Sequence, residues 1–204
     1  MPKIVDPTVR RTEVIEAVFR IAERDGLEHA SLRNIAAEAG LAVGSVRHYF
    51  ADHAEVMTFA MRELVERMSQ RILRHADTIG DRDAAADRFE ATLDLLAEFL
   101  PLDDARRTEE AAWLSFVNAA RTDARLRPYA KRMHEGFRMV TTRVIAGGQE
   151  TGRIAATVDV DLESERLAAV LDGLTLSAIT QPDAWDNATA LAVVRRHMED
   201  LLSH

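Results

Sequence analysis

The sequence predicts an all-α protein in two parts, and three observations carry that prediction. Apolar residues recur at helical spacing in one segment after another, and no strand-like alternation is long enough to build a sheet. Ala, Arg, Leu and Glu dominate, and only five prolines occur in 204 residues, a composition that favours helix. Capping residues and glycines stand where the periodic segments end.

Each element follows from its own residues. Residues 8–25 predict an amphipathic helix with Val14, Ile15, Val18, Phe19 and Ala22 on one face, and Gly26 stands where a left-handed cap is wanted. Ser31 is a good N-cap for a short helix through Ala39, with Leu32, Ile35 and Ala36 as its apolar face. Gly40 permits a tight turn, and a second short helix is expected over 43–50. Asp52 with Glu55 forms a capping box that opens a long helix from His53 to about Asp77. Beyond it, helical patterns cover 83–99, 104–121, 125–150, 162–180 and 187–202, punctuated by Gly80, Pro101, Pro128, Gly152 and Pro182. The β-rich segment "GRIAATVDVD" has no evident strand to pair with and is expected to be a loop, with Asp161 capping the next helix.

Composition bounds the function. Hydrophobic residues make up 47% of the chain, ample for a core. The chain has no cysteine, which excludes a disulfide framework, a thiolate metal site and a cysteine nucleophile. No apolar run approaches a spanning helix, and Asp6, Arg10, Arg11 and Glu13 break any N-terminal apolar segment, so a cytoplasmic location is expected. The formal net charge is −8, but residues 1–53 hold seven Lys+Arg against eight Asp+Glu, while the rest carries the other −7. From Ala39 to Ala51 there is no acidic residue at all. Such a chain is a poor nonspecific polyanion binder, yet it can offer phosphate one locally favourable face.

That acid-free stretch lies within "SLRNIAAEAGLAVGSVRHYF". Ala36, Gly40 and Val46 stand at the spacing of a helix-turn-helix: a small residue admits the crossing helix, glycine makes the turn, and a β-branched residue closes the contact. Residues 8–56 resemble the N-terminal domain of the TetR family of transcriptional regulators, and "GLAVGSVRHYFADHAEV" follows that family's recognition signature. Over residues 111–182, "WLSFVNAARTDARLRPY", "AGGQETGRI" and "LDGLTLSAITQP" are similar to the C-terminal domain of its BetI-type branch. The resemblance implies a DNA-binding domain over residues 1–53 and an effector-binding and dimerisation domain over 54–204. It implies a homodimeric repressor released from a palindromic double-stranded operator by a small molecule.

It also implies that Arg33, Val43, Gly44, Ser45, Arg47, His48, Tyr49 and His53 meet DNA. The chemistry of these residues fits: Ser45 and Tyr49 hydroxyls can donate to phosphate, and Arg33 and Arg47 can bridge guanine O6 and N7. Arg10 and Arg11 can add phosphate contacts. The sequence departs from the family in three places. Arg47 stands where an aromatic is usual, His53 where a Lys is usual, and Ala42 where a Ser or Thr cap is usual, which leaves the first N–H groups of the recognition helix for a phosphate.

In the second part, Phe89, Trp113, Phe116, Met133 and Phe137 read either as the lining of an effector pocket or as core at helical spacing. Asn118 and His134 read either as ligand-fixing groups or as satisfied buried polar side chains. Two apolar stripes, Leu167, Val170, Leu171, Leu174 and Ala178, then Leu191, Val194, Met198 and Leu201, serve either a monomer's core or a partner subunit. Gly173 suggests close backbone approach at a dimer interface, or a kink. No enzyme signature is present: "AGGQETG" does not follow a strand, and the seven histidines lack metal-ligand spacing, so neither cofactor nor metal is expected. The alternative reading is a helical small-molecule-binding or enzymatic protein whose N-terminal unit no longer binds DNA.

Overall fold

The computed structural model describes residues 7–80 and 85–202. Among these residues it contains nine α-helices and no strand: α1 (Pro7–Arg24), α2 (Leu32–Glu38), α3 (Val43–Tyr49), α4 (His53–Gly80), α5 (Ala85–Ala97), α6 (Asp104–Ala120), α7 (Arg127–Glu150), α8 (Val160–Thr180) and α9 (Asn187–Leu202). By compactness, residues 1–67 and 107–131 form one unit, and residues 68–106 and 132–204 another. Helices α4, α6 and α7 each contribute to both, whereas the sequence suggests a division after residue 53.

The first unit is organised by local chemistry. Helix α1 packs on α2 and α3 through Val14, Ile15, Val18 and Phe19, all buried. The Ser31 hydroxyl accepts from the Asn34 N–H at 3.2 Å, as expected of an N-cap. At the other end of α2, Gly40 has φ 67°, its N–H donates to the Ala37 carbonyl, and the Leu41 N–H donates to that of Ala36 at 2.8 Å. This six-to-one and five-to-two pairing is a Schellman stop, and it needs the positive φ that glycine tolerates. Ala36 and Val46 are both buried, so the crossing inferred from spacing is the crossing observed.

The capping box at the start of α4 forms with one change. The Glu55 N–H donates to Asp52 Oδ1 at 2.8 Å, but the Glu55 carboxylate takes its return bond from the Ala51 N–H at 2.6 Å, one residue before the cap. The cap of α8 is also displaced from expectation. Asp159, not Asp161, accepts from the Leu162 N–H, because α8 begins at Val160 and Asp161 already lies in its first turn. The preceding β-rich segment is a loop, as expected. Gln149 Nε2 donates to the carbonyls of Ala155 and Val158 at 2.9 and 2.8 Å, which occupies backbone acceptors that a ladder would need.

The second unit holds a core of Leu95, Leu96, Phe99, Leu100, Ile145, Ile154, Leu167 and Leu171, joined by Val194, Met198 and Leu201 from α9. Both C-terminal stripes are therefore largely inward. Leu167, Leu171 and Ala178 of α8, and Val194, Met198 and Leu201 of α9, are buried within their own subunit. Val170 and Leu174 are half-buried, and Gly173 and Leu191 are exposed. Leu167 and Leu171 of α8 pack in one cluster with Leu95, Leu96 and Leu100 and with Val194 and Met198 of α9, where each fully buried Leu contributes roughly 1.5–3 kcal/mol. The outward α8 face carries Leu162 at 57% and Leu176 at 50% exposure, with Ala169 and Gly173 between them.

Candidate nucleic-acid interface and a cavity

Helix α3 has one inward and one outward side. Val46 is buried, as is Phe50 just beyond the helix, which turns Gly44, Arg47 and His48 outward, with Val43, Ser45 and Tyr49 half-exposed. Arg33, on α2, is exposed as well. Neither Arg33 nor Arg47 makes an ion pair or hydrogen bond among the described residues, so both guanidiniums are available. The acids closest in sequence are turned to other work. Glu38 accepts from Arg20 Nε at 2.8 Å and from Arg24 Nη1 at 3.1 Å, and those two hydrogen bonds hold its carboxyl below the usual range. Asp52 and Glu55 serve the α4 cap.

Ala42 gives α3 no side-chain cap, so no side chain at that position satisfies the N–H groups of the first turn, of which Ser45 donates to the Ala42 carbonyl at 2.9 Å. Gly44 lies in that first turn. A Cβ there would meet nothing within 4 Å, so packing within the chain does not require the glycine. A surface approaching the backbone closely would.

The structure relocates two arginines that sequence reasoning offered to phosphate. Arg10 pairs with Glu13 at 2.6 Å. Arg11 Nη2 donates to the Tyr49 carbonyl at 3.0 Å, and its guanidinium lies 5.3 Å from the ring centroids of both Phe50 and Phe59. Arg11 therefore closes the C-terminal end of α3, where a cation also suits the helix dipole. His53 is similarly engaged. Its Nε2 stands 2.8 Å from the Ala30 carbonyl oxygen, which fixes that nitrogen as the donor. In the neutral ring the other nitrogen is then an acceptor, and it donates to phosphate only after protonation.

The residues suggested for a pocket do not gather in one place. Phe116 is fully buried in the first unit. Trp113 and Asn118 belong to the same unit, and Asn118 borders a recess of about 340 Å³ lined also by His53, Glu28 and Asp123. Met133 is buried and His134 exposed, while the Phe137 ring packs on Phe99 with centroids 4.8 Å apart. Only Phe89 of the seven lines a cavity of about 550 Å³ in the second unit, a volume in the range of small-molecule sites. Its floor is apolar, with Ile72, Leu95, Val144, Ile154 and Met198, and Leu73 and Met139 stand exposed at its edge. Sequence periodicity marks these as core residues, and only their tertiary arrangement leaves a space between them. Gly148 lines the same cavity. A Cβ there would fall 2.5 Å from Ile154 Cδ1, so the glycine admits Ile154 to the wall. Among the described residues no cluster of His, Asp or Glu fits a metal ion, and no helix is long and apolar enough to cross a membrane.

Residues 89–203 match the model of the BetI-type transcriptional repressor C-terminal domain. Along 98% of its length the chain is 33% identical to the HTH-type transcriptional regulator PksA of Bacillus subtilis, covering 94% of that protein. The chain belongs to the TetR family. Its fold matches a transcriptional regulator from Rhodococcus sp. Rha1 at 26% identity, with a TM-score of 0.76 over 95% of this chain and 96% of that one. The fold also matches a transcriptional regulator from Saccharomonospora viridis, solved in complex with choline, at 21% identity and a TM-score of 0.76 over 97% of each chain. As a TetR-family transcriptional regulator, the chain has its helix-turn-helix in α2 and α3, and the matched C-terminal model spans the cavity residues from Phe89 onward.

Proposed function

We propose that this TetR-family regulator acts in the cytoplasm as a homodimeric repressor, not as an enzyme, and leaves a palindromic operator when a small molecule fills the second unit's cavity. The outward face of α3 carries the reading: Arg47, His48 and Ser45 stand on a surface from which the neighbouring acids are withdrawn, next to an uncapped helix start. Arg33, Val43, Gly44, Tyr49 and, when protonated, His53 complete the contact set. In this reading Arg47 reads a base and Ser45 and Tyr49 hold phosphate.

The exposed α8 face supports dimerisation. Leu162, Ala169, Gly173 and Leu176 follow one another at seven-, four- and three-residue steps, and a Cβ on Gly173 would meet nothing within 4 Å of its own chain. Two copies joined there present two recognition helices to successive turns of one DNA face. Ligand that favours a different subunit arrangement then lowers operator affinity by its preference for that state. The structural neighbour that holds choline supports small-molecule control.

The test is a gel-shift titration with duplexes from the region upstream of the protein's own gene, at several salt concentrations. A specific complex whose affinity falls steeply as salt rises is expected. Arg47→Ala should weaken the native site by about 1–3 kcal/mol while leaving a site altered at one base pair unaffected. No shift at low salt on any such fragment would leave the second unit's cavity as the chain's remaining function.

A further inference from the structure

The charged side chains on the described lining of the second unit's cavity are already engaged within the chain. Arg143 pairs with Glu150 at 3.5 Å. The Arg153 guanidinium lies 5.5 Å from the Phe89 ring centroid, and Arg88 has partners of its own as well. The lining hydroxyls are spent in the same way. Thr92 Oγ1 donates to the Arg88 carbonyl at 2.8 Å, and Thr151 Oγ1 to those of Gly147 and Gly148 at 2.9 and 3.1 Å. The Gly148 carbonyl also accepts from the Arg153 and Ile154 N–H groups at 2.9 and 3.0 Å, which closes the end of α7. What this lining leaves for a ligand is its apolar floor, with the exposed Leu73 and Met139 at the edge.

We propose that this cavity takes an uncharged, predominantly apolar small molecule, held by burial and shape and not by a charged head. An anion would have to draw Arg143 from Glu150, or Arg153 from the Phe89 ring. A quaternary ammonium is held by open aromatic faces and free carboxylates. Here Glu150 is paired, and the guanidiniums of Arg153 and Arg195 already lie 5.5 and 5.7 Å from the Phe89 centroid. Either ion gives up hydration for groups that have partners, a poor exchange beside an apolar wall. An uncharged molecule gives up little, and its binding comes from the apolar area that it and the floor remove from water. Leu73 and Met139 add to that area. The inference rests on the cavity being the effector site of the repressor proposed above.

Dye displacement on the full chain, without DNA, decides the charge preference. Phenylnaphthylamine is uncharged and brightens in apolar surroundings, so its emission should rise on binding and fall as decanol displaces it. Decanoate and decyltrimethylammonium carry the same tail with opposite charges, and each is kept below its micellar concentration. Decanol should displace the dye at least about tenfold more effectively than either ion. Val144→Phe fills part of the floor and should weaken decanol by about tenfold. Leu73→Gln alters an exposed side chain at the rim, where folding is not at stake, and should weaken it several-fold. No rise in emission, equal or better displacement by either ion, or undiminished decanol binding in both variants overturns the proposal. A parallel gel shift keeps the two readings apart. Decanol that binds without releasing DNA sinks the release mechanism alone, whereas an ion that releases DNA sinks the ligand class alone.

Discussion

Arg11 illustrates how a residue near a reading surface serves it without belonging to it. Its guanidinium holds the last carbonyl of α3 and covers two phenylalanine rings, so the chain spends this charge on positioning the recognition helix. Arg11→Ala removes a charge-assisted hydrogen bond and both ring contacts, and should cost about 1.5–3 kcal/mol of stability. Urea denaturation measures it, and a loss below half a kcal/mol would show the contact to be idle. The pairing spans 38 residues, and for that reason the sequence did not reveal it. Beside "VRHYF", an arginine at the opening of the first helix reads as one more phosphate contact. His53 carries the same lesson, since its ring is committed to the Ala30 carbonyl from 23 residues away.

Among the elements, α3 is held together less by its own propensity than by what it packs on. It has seven residues, no side-chain cap and a glycine in its first turn. Isolated helices of this length do not persist, so its order comes from Val46 and from the flanking Phe50. Gly44→Ala should therefore separate folding from function. With open space above it, the added methyl should stabilise the protein by about 0.5–1 kcal/mol, while a DNA backbone approaching that turn should be weakened several-fold. A thermal melt and a gel shift on the same preparation measure both. If operator affinity rises along with stability, no close approach occurs at position 44. The helix-turn-helix was legible in the sequence because every one of its signals is local: the Ser31 cap, the Gly40 stop and the Asp52–Glu55 box act over three or four residues. The direction in which α8 turns was not legible. Both of its long faces are apolar, and only the arrival of α5 and α9 decides which becomes core.

For the molecule as a whole, stability is tied to pH through a histidine of the second unit. His197 of α9 has Nε2 buried with no hydrogen-bond partner among the described residues. Burial, aided by the Arg166 cation, pushes its pKa below the ordinary 6.5. Above that value both folded and unfolded chains are neutral here and nothing is lost. As the pH falls through 6.5, the unfolded chain takes the proton first, so stability declines until the folded pKa is reached. His197→Gln keeps a polar side chain that does not titrate, and the drop in melting temperature between about pH 7.5 and 5.5 should be visibly smaller in the variant. Equal drops in the two proteins would assign the acid sensitivity to other groups. The cavity, too, is a property of the whole second unit. Its walls come from α4, α5, α7, α9 and the loop after α7, and neither Trp113 nor Phe116, the aromatic residues that invite a pocket reading most strongly, reaches it.

One small absence in that wall has a consequence for how such a regulator changes its diet. Ile154 occupies the space that a side chain at position 148 would take. Any replacement of Gly148 must push Ile154 aside, into the cavity or away from it. A single codon can thus trim or tilt the chamber without touching the rest of its lining. If the cavity is the effector site proposed above, a library built at position 148 should yield variants whose response to small molecules differs while they still read the same DNA.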